Sequence, residues 1–317
     1  MLKVGVVGCG GISGSHVPNW QRMDDVEVVA VCDIRPEMFQ KYPGPAHYED
    51  FDKMLDENEF DIIDICLPTY LHAQFAIKAM KKGINVVSEK PIALEEEDVI
   101  AIYETAEKMN VKYMVAQCLR FWAEYEFVKS CYESGVYGKL LTANLWRLGG
   151  YPKRSFFDWY TKKELSGLIP FDLHIHDLDF LVYAFGAPKS YVFNRKELPG
   201  NDYLSATYDY GDFFVNTEAS WYKAGYPFYM GFRFQFEQAV VALEKDGLTV
   251  YDANGNRSKP LSGEVGIANE SDFDLPSGDA YFNELRYFAN CVKENRPVEK
   301  VTKESLLTVL HILNEMK

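Results

Sequence analysis

The first 118 residues alternate short β-branched strands with helical segments, and this alternation constrains the fold more than any other feature of the chain. Five nearly continuous apolar runs predict strands, and they are Lys3–Val7, Val26–Asp33, Asp61–Pro68, Ile84–Glu89 and Val111–Cys118. Runs that are apolar on both faces are typical of parallel strands covered by helices on both sides. The segments Leu71–Lys82 and Leu94–Met109 have the helical periodicity that such a cover requires. The sequence therefore predicts an α/β domain with a doubly wound parallel sheet.

The pattern changes after Gly138, where apolar and polar residues alternate along segments rich in aromatic side chains. The predicted strands are Leu141–Leu148, Asp202–Tyr210, Phe213–Trp221 and Phe228–Phe236, with helices at Phe171–Phe185, Ala280–Glu294 and Lys303–Met316. Alternation of this kind favours a mostly antiparallel sheet with one face packed and the other open. We expect a dinucleotide-binding domain at 1–119 and an α+β domain for substrate binding and oligomerisation at 120–317. The C-terminal helices are expected either to stay with the second domain or to pack back on the first.

A glycine-rich turn joins the first predicted strand to the first helix. Gly8, Gly10, Gly11 and Ile12 lie in the sequence GCGGISG, which has the strand–turn–helix context of the dinucleotide fingerprint of Rossmann domains. Its glycines allow a tight turn and a close approach of the backbone to a pyrophosphate, although a serine stands where the third glycine is usual. The alternative is a glycine turn that binds no ligand.

An acidic residue ends the second predicted strand, about 20 residues beyond the glycines, where a carboxylate binds the ribose hydroxyls of NAD. This residue is Asp33, and its charge would repel the 2′-phosphate of NADP. The nearby Arg35 is able to pair with a phosphate, so NADP is the alternative cofactor. The other interpretation of Asp33 is a solvated carboxylate in a turn.

Two further strand ends carry candidate residues, because ligands of open parallel sheets bind at the carboxyl ends of the strands. After the third strand these are Leu67, Pro68, Thr69 and His72, of which His72 either contacts the cofactor or packs the following helix. After the fourth strand they are Glu89 and Lys90, which precede Pro91. A lysine in this place would stabilise negative charge on a substrate oxygen, whereas the alternative is a surface lysine.

A third group of candidates lies in the sequence DLHIHDLD of the predicted helix Phe171–Phe185. Asp172 and His176 are four residues apart, so on an α-helix they share a face. Histidine has the pKa range of a general acid or base, and Asp172 would orient it. His174 falls on the opposite face, so the two histidines cannot bind one metal from a helix, and we predict no metal site. The alternative for His176 is a buried structural histidine.

Four motifs occur in order along the chain: the glycine turn ending in His16, the segment Pro68–His72, the triplet Glu89-Lys90-Pro91 and the Asp172–His176 pair. Together they resemble the glucose–fructose oxidoreductase, inositol dehydrogenase and rhizopine-catabolism (Gfo/Idh/MocA) family along essentially the whole chain. The resemblance implies NAD(P)-dependent hydride transfer at a hydroxyl carbon of a sugar, a sugar derivative or a cyclitol. It also implies a homo-oligomer, a dimer or tetramer formed through the open sheet face.

The same resemblance assigns roles to individual residues. Lys90 would bind the reacting oxygen, His176 would exchange its proton, and Asp172 would hold the substrate and the histidine. Arg147 and Trp159 match positions near the nicotinamide and the substrate. Many members approach this helix through a glycine-rich segment, but here the segment is Ser166–Pro170, so the substrate class does not transfer directly.

Composition limits the classes of partner and the cellular location that we expect. A net charge of −14 argues against a nucleic-acid partner, and no apolar run is long enough to span a membrane. The six cysteines contain no CxxC pair, which is typical of reduced thiols and favours the cytoplasm. Two other functions use the same parts: an enzyme that cleaves glycosides through transient oxidation and elimination, and a non-enzymatic regulator that binds NAD.

Overall fold

The computed structural model describes residues 1–152, 155–261 and 279–317, which belong to two compact units. Residues 1–118 and 279–307 form the first unit, and the remaining described residues form the second. The helix Ala280–Lys293 therefore belongs to the first unit, where Arg286 and Lys293 both form ion pairs with Asp25. None of the described helices has the length and apolar character needed to cross a bilayer.

A six-stranded parallel sheet is the framework of the first unit. Its elements are β1 (Leu2–Val7), α1 (Ser13–Gln21), β2 (Val26–Cys32), β3 (Ala46–Tyr48), α2 (Phe51–Glu57), β4 (Ile62–Ile65), α3 (His72–Met80), β5 (Asn85–Glu89), α4 (Glu96–Met109) and β6 (Tyr113–Ala116). The strand order is β3-β2-β1-β4-β5-β6, and every pairing is parallel. The prediction of a doubly wound sheet is confirmed. This strand order reverses direction between β1 and β4, and the crevice outside such a reversal is where dinucleotides bind.

An eight-stranded sheet is the framework of the second unit. Its elements are α5 (Ala123–Ser134), β7 (Leu140–Gly150), α6 (Lys163–Ser166), α7 (Ile175–Phe185), β8 (Ser190–Leu198), β9 (Asn201–Asp209), β10 (Phe214–Tyr222), β11 (Tyr229–Phe236), β12 (Ala239–Glu244), β13 (Gly247–Asp252) and β14 (Arg257–Ser258). Two helices end the chain: α8 (Ala280–Lys293) belongs to the first unit, and α9 (Lys303–Glu315) has residues in both. The order is β14-β13-β12-β11-β7-β10-β9-β8, and only the β7–β10 pairing is parallel among these strands. The predicted mostly antiparallel sheet is thus confirmed.

One face of this second sheet packs on helices through aromatic side chains. The Tyr125 ring of α5 meets Phe180 of α7 and Phe232 of β11 edge-on, with centroids 4.8 and 5.1 Å apart. All three side chains are buried, and edge-to-face contacts of this kind add to the stabilisation from apolar burial. The packed face fixes α7 against the sheet, and α7 carries His176.

Candidate active site

The glycine turn between β1 and α1 has the backbone geometry that a dinucleotide needs. Gly8 has a φ of +94°, and a Cβ there would lie 2.5 Å from the Cys66 carbonyl oxygen, so only glycine fits. At Gly10 and Gly11, by contrast, a Cβ would meet no atom within 4 Å. The first glycine is therefore required by packing, and the other two leave room at the surface of the turn for a ligand.

The serine that replaces the third glycine is built into this turn. The Ser13 hydroxyl donates to the Gly10 carbonyl at 2.8 Å and lies 2.8 Å from the Tyr42 hydroxyl. No side chain caps the N-terminus of α1, so its first backbone N–H groups are not taken by a cap. An uncapped helix N-terminus after an open glycine turn suits a pyrophosphate, and the residues present therefore fit NAD.

Asp33 follows β2 beside the same turn, and its carboxylate is densely hydrogen-bonded. It accepts from the Cys9 backbone N–H at 2.9 Å and from the Arg35 guanidinium at 2.9 and 3.0 Å. Burial opposes the charged form, but the bonds from Arg35 prevail and lower the pKa of Asp33. Lys41 also approaches the turn, with its Nζ 3.4 Å from the Gly10 carbonyl. Asp33 is thus an anion at the position predicted to bind ribose hydroxyls, with two cations close to the glycine turn.

Replacement of Asp33 by serine is expected to lower the preference for NAD over NADP by about tenfold or more. The substitution removes a charged acceptor, whose hydrogen bonds contribute about 1.5–3 kcal/mol, and it releases Arg35 to meet a 2′-phosphate. The measurement is the ratio of kcat/KM for the two cofactors. Asp24→Asn at the opposite end of β2 is the control, and an unchanged ratio in Asp33→Ser would contradict the assignment.

His72 is the first residue of α3, and the structure gives it a structural role. Its side chain is fully buried, with Nδ1 2.7 Å from the Pro91 carbonyl and Nε2 2.7 Å from the Leu67 carbonyl. Burial lowers the pKa of this histidine. Because both ring nitrogens face backbone oxygens, the interpretation of His72 as a cofactor ligand is corrected. His72 instead links two strand-end segments, one of which continues into Pro68 and the buried Thr69.

Glu89 ends β5, Lys90 follows it, and the two differ in their surroundings. Glu89 is buried, with one carboxylate oxygen 3.0 Å from His16 Nε2 and the other accepting the Lys90 backbone N–H at 3.0 Å. Its carboxylate is therefore used within the first unit, which disfavours the predicted direct contact with the cofactor. Lys90 is half-buried, and the hydrogen bond from its backbone N–H to the Glu89 carboxylate fixes the point from which its side chain extends.

The acidic and histidine residues of the segment Asp172–Asp179 fall into two groups. His174 is fully buried against the Tyr208 hydroxyl at 2.6 Å, and burial together with Arg147 lowers its pKa to about 3. Asp177 and Asp179 are also buried, and each pairs with an arginine. Asp172 and His176 are only half-buried. This sorting leaves Asp172 and His176 as the members of the segment that are suited to contact a substrate.

Asp172 is held from two sides by aromatic residues that the sequence analysis did not select. One carboxylate oxygen accepts a short hydrogen bond from the Tyr160 hydroxyl, and the other accepts from Trp221 Nε1 at 3.2 Å. Tyr160 lies in a 3₁₀ segment, Phe156–Thr161, and Trp221 lies in β10. These donors come from segments far apart in the sequence, so no spacing pattern could have identified them.

The segment that carries Asp172 is not the regular α-helix that the sequence predicts. Pro170–His174 forms a π-helical turn, in which the Ile175 N–H bonds back to the Pro170 carbonyl, and α7 begins only at Ile175. A π turn is wound only slightly more loosely than an α turn, so the shared face of Asp172 and His176 stays a prediction. Such turns occur often at functional sites, which agrees with the position of Asp172.

The two residues assigned to substrate binding by resemblance have different environments. Arg147 is 3% exposed, and its guanidinium contacts Asp177 at 3.0 Å and the Tyr125 hydroxyl at 3.2 Å. It lies on the packed face of β7, so its predicted contact with substrate is replaced by an internal ion pair. Trp159 is half-buried in the 3₁₀ segment, with its ring 4.6 Å from that of Tyr160, and it remains a predicted substrate contact.

Comparisons with known proteins identify the family. A model of the oxidoreductase family with an NAD-binding Rossmann fold matches residues 2–117, and a model of the Gfo/Idh/MocA C-terminal domain matches residues 125–241. Together the two models cover more than half of the chain. The chain therefore belongs to the Gfo/Idh/MocA oxidoreductase family, and its first unit is an NAD-binding Rossmann domain.

Individual relatives are distant. Glucose-6-phosphate 3-dehydrogenase of Bacillus subtilis is 29% identical over 58% of this chain and 54% of the relative. 2,7-Anhydro-N-acetylneuraminate hydratase of Escherichia coli is 28% identical over 59% of this chain and 50% of the relative. The matched region thus spans about half the length of these curated relatives. A solved levoglucosan dehydrogenase in complex with NADH and levoglucosan has a TM-score of 0.82 at 18% identity, covering 99% of this chain and 95% of that chain, which supports the fold.

Proposed function

We propose that the protein is an NAD-dependent dehydrogenase that oxidises a ring hydroxyl of a sugar, a sugar derivative or a cyclitol. The observation that carries the proposal is the sorting of the segment Asp172–Asp179. Its other acids, Asp177 and Asp179, pair with buried arginines, and its other histidine, His174, is buried against Tyr208. Asp172 and His176 remain half-buried. This acid–histidine pair occurs in a chain that also has a strand-end lysine, Lys90, in an NAD-binding domain.

In the proposed mechanism each of three side chains has its own task. The His176 imidazole takes the proton of the substrate hydroxyl, and the Lys90 ammonium stabilises the negative charge that develops on that oxygen. Asp172, held by Tyr160 and Trp221, orients the substrate hydroxyl and the histidine. Bound NAD supplies the hydride acceptor, and the Gly8–Ile12 turn and Asp33 are the residues that would hold it.

The proposed function is tested by supplying NAD with glucose 6-phosphate, a D-glucoside and myo-inositol in separate reactions. Absorbance of NADH is recorded while product is followed by mass spectrometry. A dehydrogenase accumulates NADH in step with the ketone product of at least one of these compounds. Absence of turnover with all of them, under conditions where NAD binds, would contradict the proposal and favour a regulator that binds NAD.

A redox-neutral cleavage is the second candidate, and the similarity to a hydratase of an anhydro-sugar favours it. In such a reaction a ring carbinol is oxidised to a ketone, and an adjacent carbon then loses a proton while its neighbour loses an oxygen substituent. Water adds to the resulting double bond, and the ketone is reduced back, so NAD is regenerated. Product formation without accumulation of NADH would identify this reaction in the same assay.

We also propose that the open face of the second sheet joins copies of the chain. A row across this face runs over four consecutive strands through Tyr229, Leu148, Ser220 and Tyr203, next to Trp146. Aromatic side chains of this kind are enriched at interfaces. Light scattering is expected to give the mass of a dimer or tetramer, and a monomer at micromolar concentration would contradict the proposal.

A further inference from the structure

A buried charged cluster lies beneath the glycine turn, within the first unit. His16 of α1 is fully buried between Asp64 of β4 and Glu89 of β5. Its Nδ1 lies 2.9 and 3.1 Å from the two Asp64 carboxylate oxygens, and its Nε2 lies 3.0 Å from Glu89 Oε1. The mechanism proposed above assigns no task to His16 or Asp64.

The contacts of its two ring nitrogens favour the doubly protonated form of His16. An ionised carboxylate only accepts hydrogen bonds, so a histidine between two carboxylates donates from both nitrogens and is an imidazolium. The Trp20 indole N–H donates to the same Asp64 carboxylate at 2.7 Å. Burial opposes protonation of His16, but the charge of Asp64 outweighs it, and the pKa of His16 is raised well above its ordinary value.

A neighbouring thiol lies beside this cluster. Cys66 Sγ lies 3.7 Å from Asp64 Oδ1, and ligand atoms of His16, Asp64 and Cys66 lie within 4.8 Å of one another. Burial raises the pKa of the Cys66 thiol to about 12, which favours the protonated thiol. The imidazole nitrogen that faces Asp64 is already hydrogen-bonded to it, so the geometry is that of an ion pair.

The position of the cluster links two parts of the candidate site. His16 lies in the first turn of α1, directly after the glycine turn. Glu89 uses one oxygen for His16 and the other for the backbone N–H of Lys90. A chain of hydrogen bonds thus runs from the helix behind the glycine turn to the backbone that carries the lysine.

We propose that His16 is a positioning residue, which holds Glu89 and thereby fixes the backbone of Lys90 relative to the glycine turn that receives the cofactor. The inference rests on the proposed function, because it concerns the placement of the lysine in that reaction. A doubly hydrogen-bonded imidazolium suits this task, since charge-assisted bonds are shorter and more directional than neutral ones. Removal of the link is expected to affect the rate more than the binding of NAD.

The kinetic test compares His16→Gln, Glu89→Gln and the double variant with the wild type. Each single substitution is expected to lower kcat by about 10- to 100-fold, because a displacement of about 1 Å in a positioned group has effects of this size. KM for NAD is expected to stay within about threefold of the wild type. The double variant is expected to match the more impaired single variant, since both substitutions break one chain of bonds.

His47→Gln is the matched control, because His47 is an exposed histidine of the same unit whose Nε2 contacts the Tyr42 carbonyl at 2.7 Å. It is expected to keep the wild-type kcat. If His16→Gln is folded and also keeps the wild-type kcat, or if the losses in the double variant multiply, the inference is overturned. The proposed function would stand in either case, because the wild type still turns over.

A measurement on the wild type keeps the inference testable if His16→Gln fails to fold. Nitrogen NMR of protein labelled with ¹⁵N only in histidine reports the protonation of each ring. We expect one histidine to keep both nitrogens protonated at pH 8, above the ordinary histidine pKa of about 6.5. Loss of that resonance in Trp20→Phe or Glu89→Gln would assign it to His16. If all six histidines are neutral at this pH, the inference is overturned whether or not the enzyme turns over.

Discussion

Lys90→Ala is expected to lower kcat by about 10²- to 10³-fold while the affinity for NAD stays within about threefold. The lysine ammonium is the positive charge that we assign to the developing alkoxide, and removal of one such stabilising group costs about this factor. The backbone of residue 90 keeps its hydrogen bond to Glu89 in the variant, so the turn itself should survive. Turnover is measured by NADH formation, and affinity is measured separately by fluorescence titration with NADH.

Lys78→Ala provides the control for the loss of a lysine from the first unit. Lys78 lies on α3 at the surface and pairs with Asp52 at 2.8 Å. This variant is expected to behave like the wild type in both measurements. A Lys90→Ala variant that also keeps its full kcat would show that the strand-end lysine has no part in the reaction. A loss of NAD binding without a change in kcat would make Lys90 a cofactor ligand only.

Asp179→Ala is expected to lower the free energy of unfolding by about 3–5 kcal/mol, since it leaves a buried arginine without its partner carboxylate. Asp179 and Arg120 are each 1% exposed, and the guanidinium makes two bonds to the carboxylate, at 2.8 and 2.6 Å. In a domain of this size such a loss corresponds to a decrease in Tm of about 10 °C. Asp179 lies on α7 one turn beyond His176, so activity should also decline as the helix loosens.

Two further variants show whether the buried charge causes this loss. Asp56→Ala breaks an exposed pair with Lys82 at 2.7 Å and is expected to leave Tm nearly unchanged. The double variant Arg120→Met/Asp179→Leu removes both charges and is expected to recover most of the lost stability, because two apolar residues need no partner. A double variant as unstable as Asp179→Ala would mean that shape, rather than charge, determines the effect.

The framework of the first unit could be predicted from sequence because its strands differ sharply from their flanks. Four of the predicted strands correspond to central strands of a sheet that is buried on both faces. Their sequences are nearly continuous apolar runs because successive side chains are buried on opposite faces. The short edge strand β3 was missed, since its three residues include an exposed histidine and carry no apolar pattern. In the second unit β8 was missed for a similar reason, because most of its side chains are exposed.

The candidate site was less predictable because its geometry depends on contacts between distant segments. His16 contacts Asp64 and Glu89, which are 48 and 73 residues away in the sequence. A local spacing pattern cannot predict contacts between residues so far apart. Arg147 was assigned to substrate by resemblance, and because both faces of β7 carry apolar residues, alternation alone does not reveal which face is packed. The π turn before α7 begins at Pro170, and the helical periodicity of the segment conceals it.

The most direct test of the account follows the hydrogen that leaves the substrate. The sugar that reacts fastest among those named above is prepared with deuterium on every carbon and incubated with NAD and the wild-type protein. The account predicts NADH that carries one deuterium on the nicotinamide ring, with an equal amount of ketone product. Formation of product while the nicotinamide remains unlabelled throughout the reaction, including during single turnover, would contradict hydride transfer and with it the central claim.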